Sequence, residues 1–209
     1  QPSRFLAGST GGLFLTENFG QQWNEVSLGA DVYSFQVLES TADGSVIWVG
    51  TNTGIFRSDD GGLTWDDKTN NIGGLVTWNG VASVHVVSET RVYAGTAFTH
   101  LSTDGGETWT ELAPTGAGAH AIVELSDGTI LVGPFANGIW RSTDEGVSFI
   151  QVQEGGGPGA IPSPSSISDL IVQPDGTILA SDYSFFDGTA TILRSTDGGV
   201  SWSEYGSNV

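Results

Sequence analysis

Apolar and polar residues alternate with a period of two along most of the chain, which is typical of half-buried β-strands. The alternating runs are short and end at glycine, aspartate or proline, and no segment has the periodicity of an amphipathic helix. One kind of run is strongly apolar, ends in a small residue or Pro or Asp, and recurs as RFLAGS, VIWVGT, RVYAGT, TILVGP and TILASD. The pattern predicts an all-β fold built from a repeated group of strands.

An eight-residue phrase of the form Ser/Thr-x-Asp-x-Gly-x-x-Trp follows each of these strand groups. Its copies lie at residues 16–23, 58–65, 102–109, 142–149 and 195–202. A repeat of about 40–45 residues with strand-like content is typical of β-propeller blades, which have four antiparallel strands each. We therefore predict a single domain over residues 1–209, a five-bladed β-propeller in which the phrase is the hairpin between the third and fourth strands.

The phrase has a structural explanation. Its acidic position can accept hydrogen bonds from the backbone of its own turn, its glycine can adopt a left-handed conformation, and its aromatic ring can pack onto the blade. The residues that we expect to act in this way are Asn18, Trp23, Asp60, Trp65, Asp104, Trp109, Asp144, Phe149, Asp197 and Trp202. Stabilisation of the fold alone accounts for the repetition.

The phrase resembles the Asp-box, or bacterial neuraminidase repeat, of sialidases and sortilin-type receptors. The resemblance extends over all five copies and implies a β-propeller whose boxes lie on the face away from the ligand site. It leaves the function open, because the same blades carry hydrolases and binding proteins. Sialidases of this kind use three arginines around the substrate, whereas Arg57, Arg141 and Arg194 here each precede a box, where a structural role is expected.

Charge narrows the set of partners. The chain has 24 acidic and 6 basic residues, for a formal charge of −18. Such a surface repels nucleic acids and anionic lipids, and no apolar run approaches the roughly 20 residues of a membrane span. A start at Gln1 rather than methionine predicts an extracellular protein whose signal peptide has been removed.

Sequence motifs for catalysis are weak. The three histidines lack the spacing of a metal site, and we predict no cofactor, no metal and no catalytic residue. A glycosidase for neutral sugars needs two carboxylates roughly 5–9 Å apart. Asp182 and Asp187, in an enlarged loop between the second and third strands of the last repeat, are the best candidates for that alternative.

Aromatic and histidine residues gather in the loops predicted to lie opposite the boxes. Flat rings there suit stacking on sugars and contact with proteins equally. The predicted binding residues are Trp78, Phe98, His100, His120, Phe135, Tyr183, Phe185 and Phe186.

The first repeat begins directly at its second strand, so we expect blade 1 to lack its innermost strand. The exposed edge would then be Arg4, Phe5, Leu6, Ala7 and Gly8. A strand from a partner or a neighbouring subunit could complete it; a longer chain or a naturally three-stranded blade would explain it as well. The function predicted from these features is a non-catalytic, extracellular, protein-binding or self-assembling module. The alternative is a carbohydrate-binding or glycoside-hydrolysing propeller that uses the aromatic loop face.

Overall fold

The computed structural model describes residues 5–9, 12–28, 35–40, 46–75, 80–115, 118–152, 166–183 and 190–205. These ranges contain nineteen β-strands and no helix. The all-β prediction is therefore confirmed. Within the same ranges there is also no helix long and apolar enough to cross a membrane.

The strands form five antiparallel sheets in which strands that follow each other in sequence are neighbours. The first sheet contains β1 (Phe5–Ser9), β2 (Gly12–Thr16) and β3 (Asn24–Val26). The second contains β4 (Phe35–Ser40), β5 (Ile47–Thr51), β6 (Ile55–Ser58) and β7 (Asp66–Asp67). The third contains β8 (Ser83–Val86), β9 (Val92–Gly95), β10 (Thr99–Ser102) and β11 (Thr110–Glu111). The fourth contains β12 (Ala119–Glu124), β13 (Ile130–Pro134), β14 (Trp140–Ser142) and β15 (Ile150–Gln151). The fifth contains β16 (Ser166–Val172), β17 (Ile178–Tyr183), β18 (Ala190–Ser195) and β19 (Ser203–Glu204).

Two compact units divide the chain. Unit 1 is Gln1–Thr96 with His100–Thr110, and unit 2 is Ala97–Thr99 with Glu111–Val209. Unit 1 includes the first two sheets and most of the third, and unit 2 includes the fourth and fifth. The predicted single domain over residues 1–209 stays a prediction.

Each unit has its own apolar core, formed chiefly by the second strands of the sheets. All five residues of β5 and all five of β13 are buried. Strands buried on both faces have near-continuous apolar sequences rather than alternating ones, which explains the recurrent apolar runs. In unit 1 the core includes Trp48, whose ring meets that of Trp109 edge to face at 6.3 Å between centroids. In unit 2, Leu131, Ile167 and Trp202 belong to one cluster.

The repeated phrases form tight turns between the last two strands of each sheet. In the third copy, the Ser102 hydroxyl donates to Asp104 Oδ1 at 2.8 Å and accepts from the Gly106 N–H at 2.8 Å. Asp104 Oδ1 also accepts from the Thr108 N–H at 2.9 Å. The predicted role of the acidic residue in its own turn is thus observed, and the network is self-contained.

The box glycine allows the turn to approach the sheet before it. Gly106 has φ of +87°, and a Cβ at this residue would lie 2.7 Å from Trp48 Cη2. Gly199 has φ of +80°, and its Cβ would lie 2.7 Å from Leu131 Cδ2. Both the left-handed backbone and the close contact require glycine. The box rings that accompany them, Trp109 and Trp202, are 4% and 1% exposed.

The expectation that every box ring is a buried anchor is wrong for the first copy. Trp23 is 43% exposed, whereas Trp65 and Phe149 are partly buried. Among the described residues, a Cβ on Gly20 would meet only the ring of Trp23 itself, at 3.8 Å. Within the described residues this turn therefore shows no counterpart of the contacts that Gly106 and Gly199 make with another sheet.

Candidate functional site

One position in the repeat differs chemically in the fifth copy. It lies four residues beyond the residue aligned with the first residue of the box. This is the end of β1 in the first sheet, and in the four-stranded sheets it is in or directly after the second strand. Its occupants are Ser9, Thr51, Thr96, Pro134 and Asp182. Strand pairing supports the alignment, because Ile47, Ile130 and Ile178 pair with Ser58, Ser142 and Ser195. Only the fifth repeat has a carboxylate in this position of the sequence.

The threonines at this position are buried and bonded to nearby backbone. Thr51 Oγ1 donates to the Gly54 carbonyl at 3.0 Å, and Thr96 Oγ1 donates to the Gly73 carbonyl at 2.9 Å. Both residues are at most 1% exposed. The position is therefore internal, and a small hydroxyl suits it.

Asp182 brings a carboxylate to this internal position. It lies within β17, where it pairs with Ile167 and Thr191, and it is 6% exposed. The sequence analysis placed Asp182 in a loop, whereas the structure makes it a buried strand residue. A carboxylate is rarely buried to this extent, because removing its charge from water is costly. Such a residue is a candidate for acid–base chemistry.

Two exposed rings lie at strand ends in unit 2. Tyr183, the last residue of β17, is 40% exposed, and Phe135, directly after β13, is 46% exposed. The Phe135 ring contacts His120, with 5.2 Å between ring centroids. His120 lies at a bulge in β12, and burial lowers its pKa because it disfavours the imidazolium form. Its Nε2 is buried and has no hydrogen-bond partner among the described residues.

The fourth and fifth sheets pack tightly at this end. A Cβ on Gly133 of β13 would lie 2.5 Å from Cγ2 of Ile167, the pairing partner of Asp182. Phe135 follows Gly133 by two residues. His120, Phe135, Asp182 and Tyr183 therefore lie at the same end of two adjacent sheets of unit 2, and we call them the strand-end cluster.

The other predicted binding residues are dispersed. Phe98 is 42% exposed between β9 and β10. His100 is 2% exposed, and its Nε2 accepts from the Gly73 N–H at 3.3 Å, so it lies inside unit 1 rather than at a surface. Several predicted residues lie outside the described part of the chain, namely Arg4, Trp78, Phe185, Phe186 and Asp187.

The predicted strand-accepting edge is part of β1. Phe5, Leu6, Ala7 and Gly8 all belong to this strand, which pairs with β2 on one side and is the edge of the three-stranded sheet in the described residues. Phe5 is 51% exposed, and its ring lies 6.2 Å from that of Phe19. Use of this edge by a partner strand stays a prediction.

The box carboxylates belong to the hydrogen-bond networks of their own turns. Hydrogen bonds from Thr64 and Thr108 lower the pKa of Asp60 and Asp104 respectively to about 2, so both are ionised and held in their turns. Across the described ranges, no group of three or more His, Asp or Glu side chains is placed to hold a metal ion. Two of the arginines that precede the boxes also contact the turn of the next box: Arg57 donates to the Gly105 carbonyl and Arg141 to the Gly198 carbonyl.

Comparison with known proteins identifies the repeat and the fold. The family described as BNR/Asp-box repeat matches residues 100–111. A xyloglucanase from Paenibacillus sp is 27% identical over 199 residues, which covers 77% of this chain and 19% of the relative. The crystal structure of an ancestral GH74 enzyme matches all of this chain and 30% of its own, at 16% identity and a TM-score of 0.74. The structure of YCF48 bound to D1 peptide matches 98% of this chain and 65% of its own, at 14% identity and a TM-score of 0.65.

These similarities correct the functional prediction. The chain spans about a fifth of the xyloglucanase and less than a third of the GH74 enzyme. Similarity to the xyloglucanase contradicts the prediction of a non-catalytic assembly module and the prediction that the chain is not an enzyme. It favours the glycoside-hydrolysing alternative. The chain carries the BNR/Asp-box repeat on a β-propeller fold.

Proposed function

We propose that this chain is a β-propeller, or part of one, that hydrolyses glycosidic bonds in a neutral polysaccharide of the xyloglucan class. The observation that carries the proposal is Asp182, a carboxylate that is 6% exposed where the other repeats have a neutral residue. The xyloglucanase relative supports the same reaction class. A polymeric substrate of this kind implies that the protein acts outside the cell.

Asp182 can serve as one of the two carboxylates that glycoside hydrolysis requires. One carboxyl group protonates the departing glycosidic oxygen, and the other activates water or attacks the sugar directly. A site with little water strengthens the interaction of such a group with the charge that develops on the sugar. Asp182 meets this condition because it is 6% exposed.

The exposed rings of the cluster suit a sugar chain. Phe135 and Tyr183 offer apolar faces on which pyranose rings can stack, and both are about half exposed. Burial lowers the pKa of His120 and so favours its neutral form, and its ring packs beside that of Phe135. The charge of −18 disfavours anionic polysaccharides and leaves neutral ones unaffected.

Release of reducing ends from xyloglucan tests the proposal. We expect the wild-type chain to cleave xyloglucan and to leave polygalacturonate intact. Asp182→Asn should lower kcat by about 10²–10⁴-fold with little change in KM, because it removes proton transfer but not binding. Asp66→Asn, at an exposed carboxylate of β7, is the matched control and should keep full activity.

Two results would contradict the proposal. If Asp182→Asn keeps the activity of the wild type, Asp182 takes no part in the reaction. Binding of xyloglucan without any release of reducing ends would make the protein a carbohydrate-binding propeller instead.

A further inference from the structure

The two units have corresponding junctions between the fourth strand of one sheet and the box of the next, and we call each junction a groove. In unit 1 it lies between β7 and box 102–109, where Lys68 meets Glu107, and in unit 2 it lies between β15 and box 195–202. Strand register aligns them, because Arg57 pairs with Asp66 and Arg141 pairs with Ile150. They can therefore be compared residue by residue.

The groove of unit 1 is closed by charges. Lys68 Nζ lies 2.6 Å from Glu107 Oε1 across it. Arg57 Nη2 lies 2.8 Å from Asp59 Oδ1, and its guanidinium also stacks over the Trp48 ring at 5.5 Å. Both of these cations are neutralised by an acidic neighbour.

The groove of unit 2 has none of the side chains that pair with or stack on these cations in unit 1. Val152 and Val200 stand where unit 1 has Lys68 and Glu107, and Thr143 stands where it has Asp59. The aligned residue for Trp48 is Leu131. The result is an open cavity of about 230 Å³ lined by Arg141, Thr143, Ile150, Val152 and Val200, among others.

Arg141 supplies a positive charge to this cavity. Its Nε donates to the Gly198 carbonyl at 2.9 Å, and Nη2 lies 3.5 Å from Thr129 Oγ1. In the described part of the chain it has no carboxylate within ion-pair distance and no hydrogen bond from Nη1; Asp127 acts on it only at longer range. An unneutralised guanidinium is notable in a chain with 24 acidic residues.

Aliphatic side chains form the rest of the opening. Ile150 is 75% exposed and Val200 is 60% exposed, while Val152 is buried in the core beside them. Their exposure costs free energy that a covering apolar group would recover. The cavity thus joins an apolar wall to one cationic group.

We propose that this cavity binds an aliphatic carboxylate. The carboxylate would pair with the Arg141 guanidinium, whose planar donors match its geometry. A branched hydrocarbon chain would cover Ile150, Val152 and Val200. A free short-chain acid and the C-terminal residue of a peptide ending in leucine present this same chemistry.

Titration with 4-methylpentanoate, followed by NMR of the ¹⁵N- and ¹³C-labelled chain, tests the proposal. We expect saturable shifts of the Arg141 Nε–Hε signal and of the Val152 and Val200 methyl signals, with Kd of about 1–10 mM. The neutral isostere 4-methylpentanamide should bind at least about tenfold more weakly, because it cannot form the ion pair. Equal binding of acid and amide would overturn the proposal.

Variants that copy the unit 1 groove provide the matched controls. Val152→Lys with Val200→Glu should close the cavity with the unit 1 ion pair and abolish binding. Since Val152 is buried, Val200→Glu alone at an exposed position is the second variant, and it should weaken binding at least about tenfold. If the double variant folds and still binds 4-methylpentanoate as tightly as the wild type does, the proposed site is wrong.

Two peptides distinguish the sources of the carboxylate. An acetylated peptide ending in leucine with a free C-terminus should shift the same signals, and its C-terminal amide should not. Binding of the peptide but not the free acid assigns a peptide ligand, and the reverse assigns a small acid. Binding of neither overturns the proposal.

Discussion

Two tryptophans occupy the same place in their boxes but differ in burial, so they predict different losses of stability. Trp109 is 4% exposed, packs edge to face on Trp48, and donates from Nε1 to the Lys68 carbonyl at 2.8 Å. Trp23 is 43% exposed. Both lie in unit 1, so both should report on the unfolding of the same unit.

The expected losses follow from the buried area. A tryptophan ring buries about 150–250 Å², which at about 25 cal/mol/Å² corresponds to roughly 4–6 kcal/mol as an upper limit. Truncating a buried ring leaves a cavity, so we expect Trp109→Ala to cost about 3–5 kcal/mol. Trp23→Ala removes a ring that water already reaches on one side, and we expect about 1–2 kcal/mol.

Urea denaturation followed by circular dichroism measures both losses. The variants should differ by about 2 kcal/mol in the free energy of unfolding, with Trp109→Ala the less stable. Equal losses would refute the inference that contact with the preceding sheet, rather than the box turn itself, determines what the ring contributes.

Acidity and glycine geometry give two further predictions. Asp60 and Asp104 have pKa values lowered from 3.8 to about 2, so the stability that they contribute above about pH 4 should be lost as the pH falls towards 2. In the double variant Asp60→Asn and Asp104→Asn, the melting temperature should fall less steeply with pH than in the wild type between about pH 4 and pH 2. An identical decline in both proteins would contradict the lowered pKa values. Gly199→Ala should destabilise more than Gly198→Ala in thermal melts, because both have positive φ but only the first Cβ would clash, with Leu131. Equal melting temperatures would contradict the contact.

Local chemistry explains why much of the fold could be predicted. The box is a turn whose donors and acceptors lie within a few residues, as between Ser102 and Thr108, so its sequence alone specifies it. The second strands are buried on both faces and therefore have continuous apolar sequences. These two patterns were therefore enough to predict that the strands exist and in which order they follow one another.

Packing between sheets explains what could not be predicted. Asp182 appeared to lie in a loop because its burial depends on β16 and on the contact of Ile167 with Gly133, which are far away in sequence. The exposure of Trp23 likewise could not be predicted, because the sequence of a box does not say which side chains of another sheet cover its ring. An alignment of the five repeats would have singled out Asp182, because it is the charged residue at a position where the other four repeats have a neutral residue.

The cavity of unit 2 was missed for a related reason. Arg141 precedes a box like Arg57, and the motif assigns both the same structural role. The difference lies in residues outside the motif, where Val200 replaces the aligned Glu107. A comparison of the variable positions within the repeats would have shown it.

A crystal structure of the chain with a bound xyloglucan oligosaccharide tests the central claim most directly. The account predicts a sugar chain stacked on Phe135 and Tyr183, with a glycosidic oxygen or an attacking water roughly 2.6–3.2 Å from the Asp182 carboxylate. An oligosaccharide bound on the box face, away from the strand-end cluster, would contradict it.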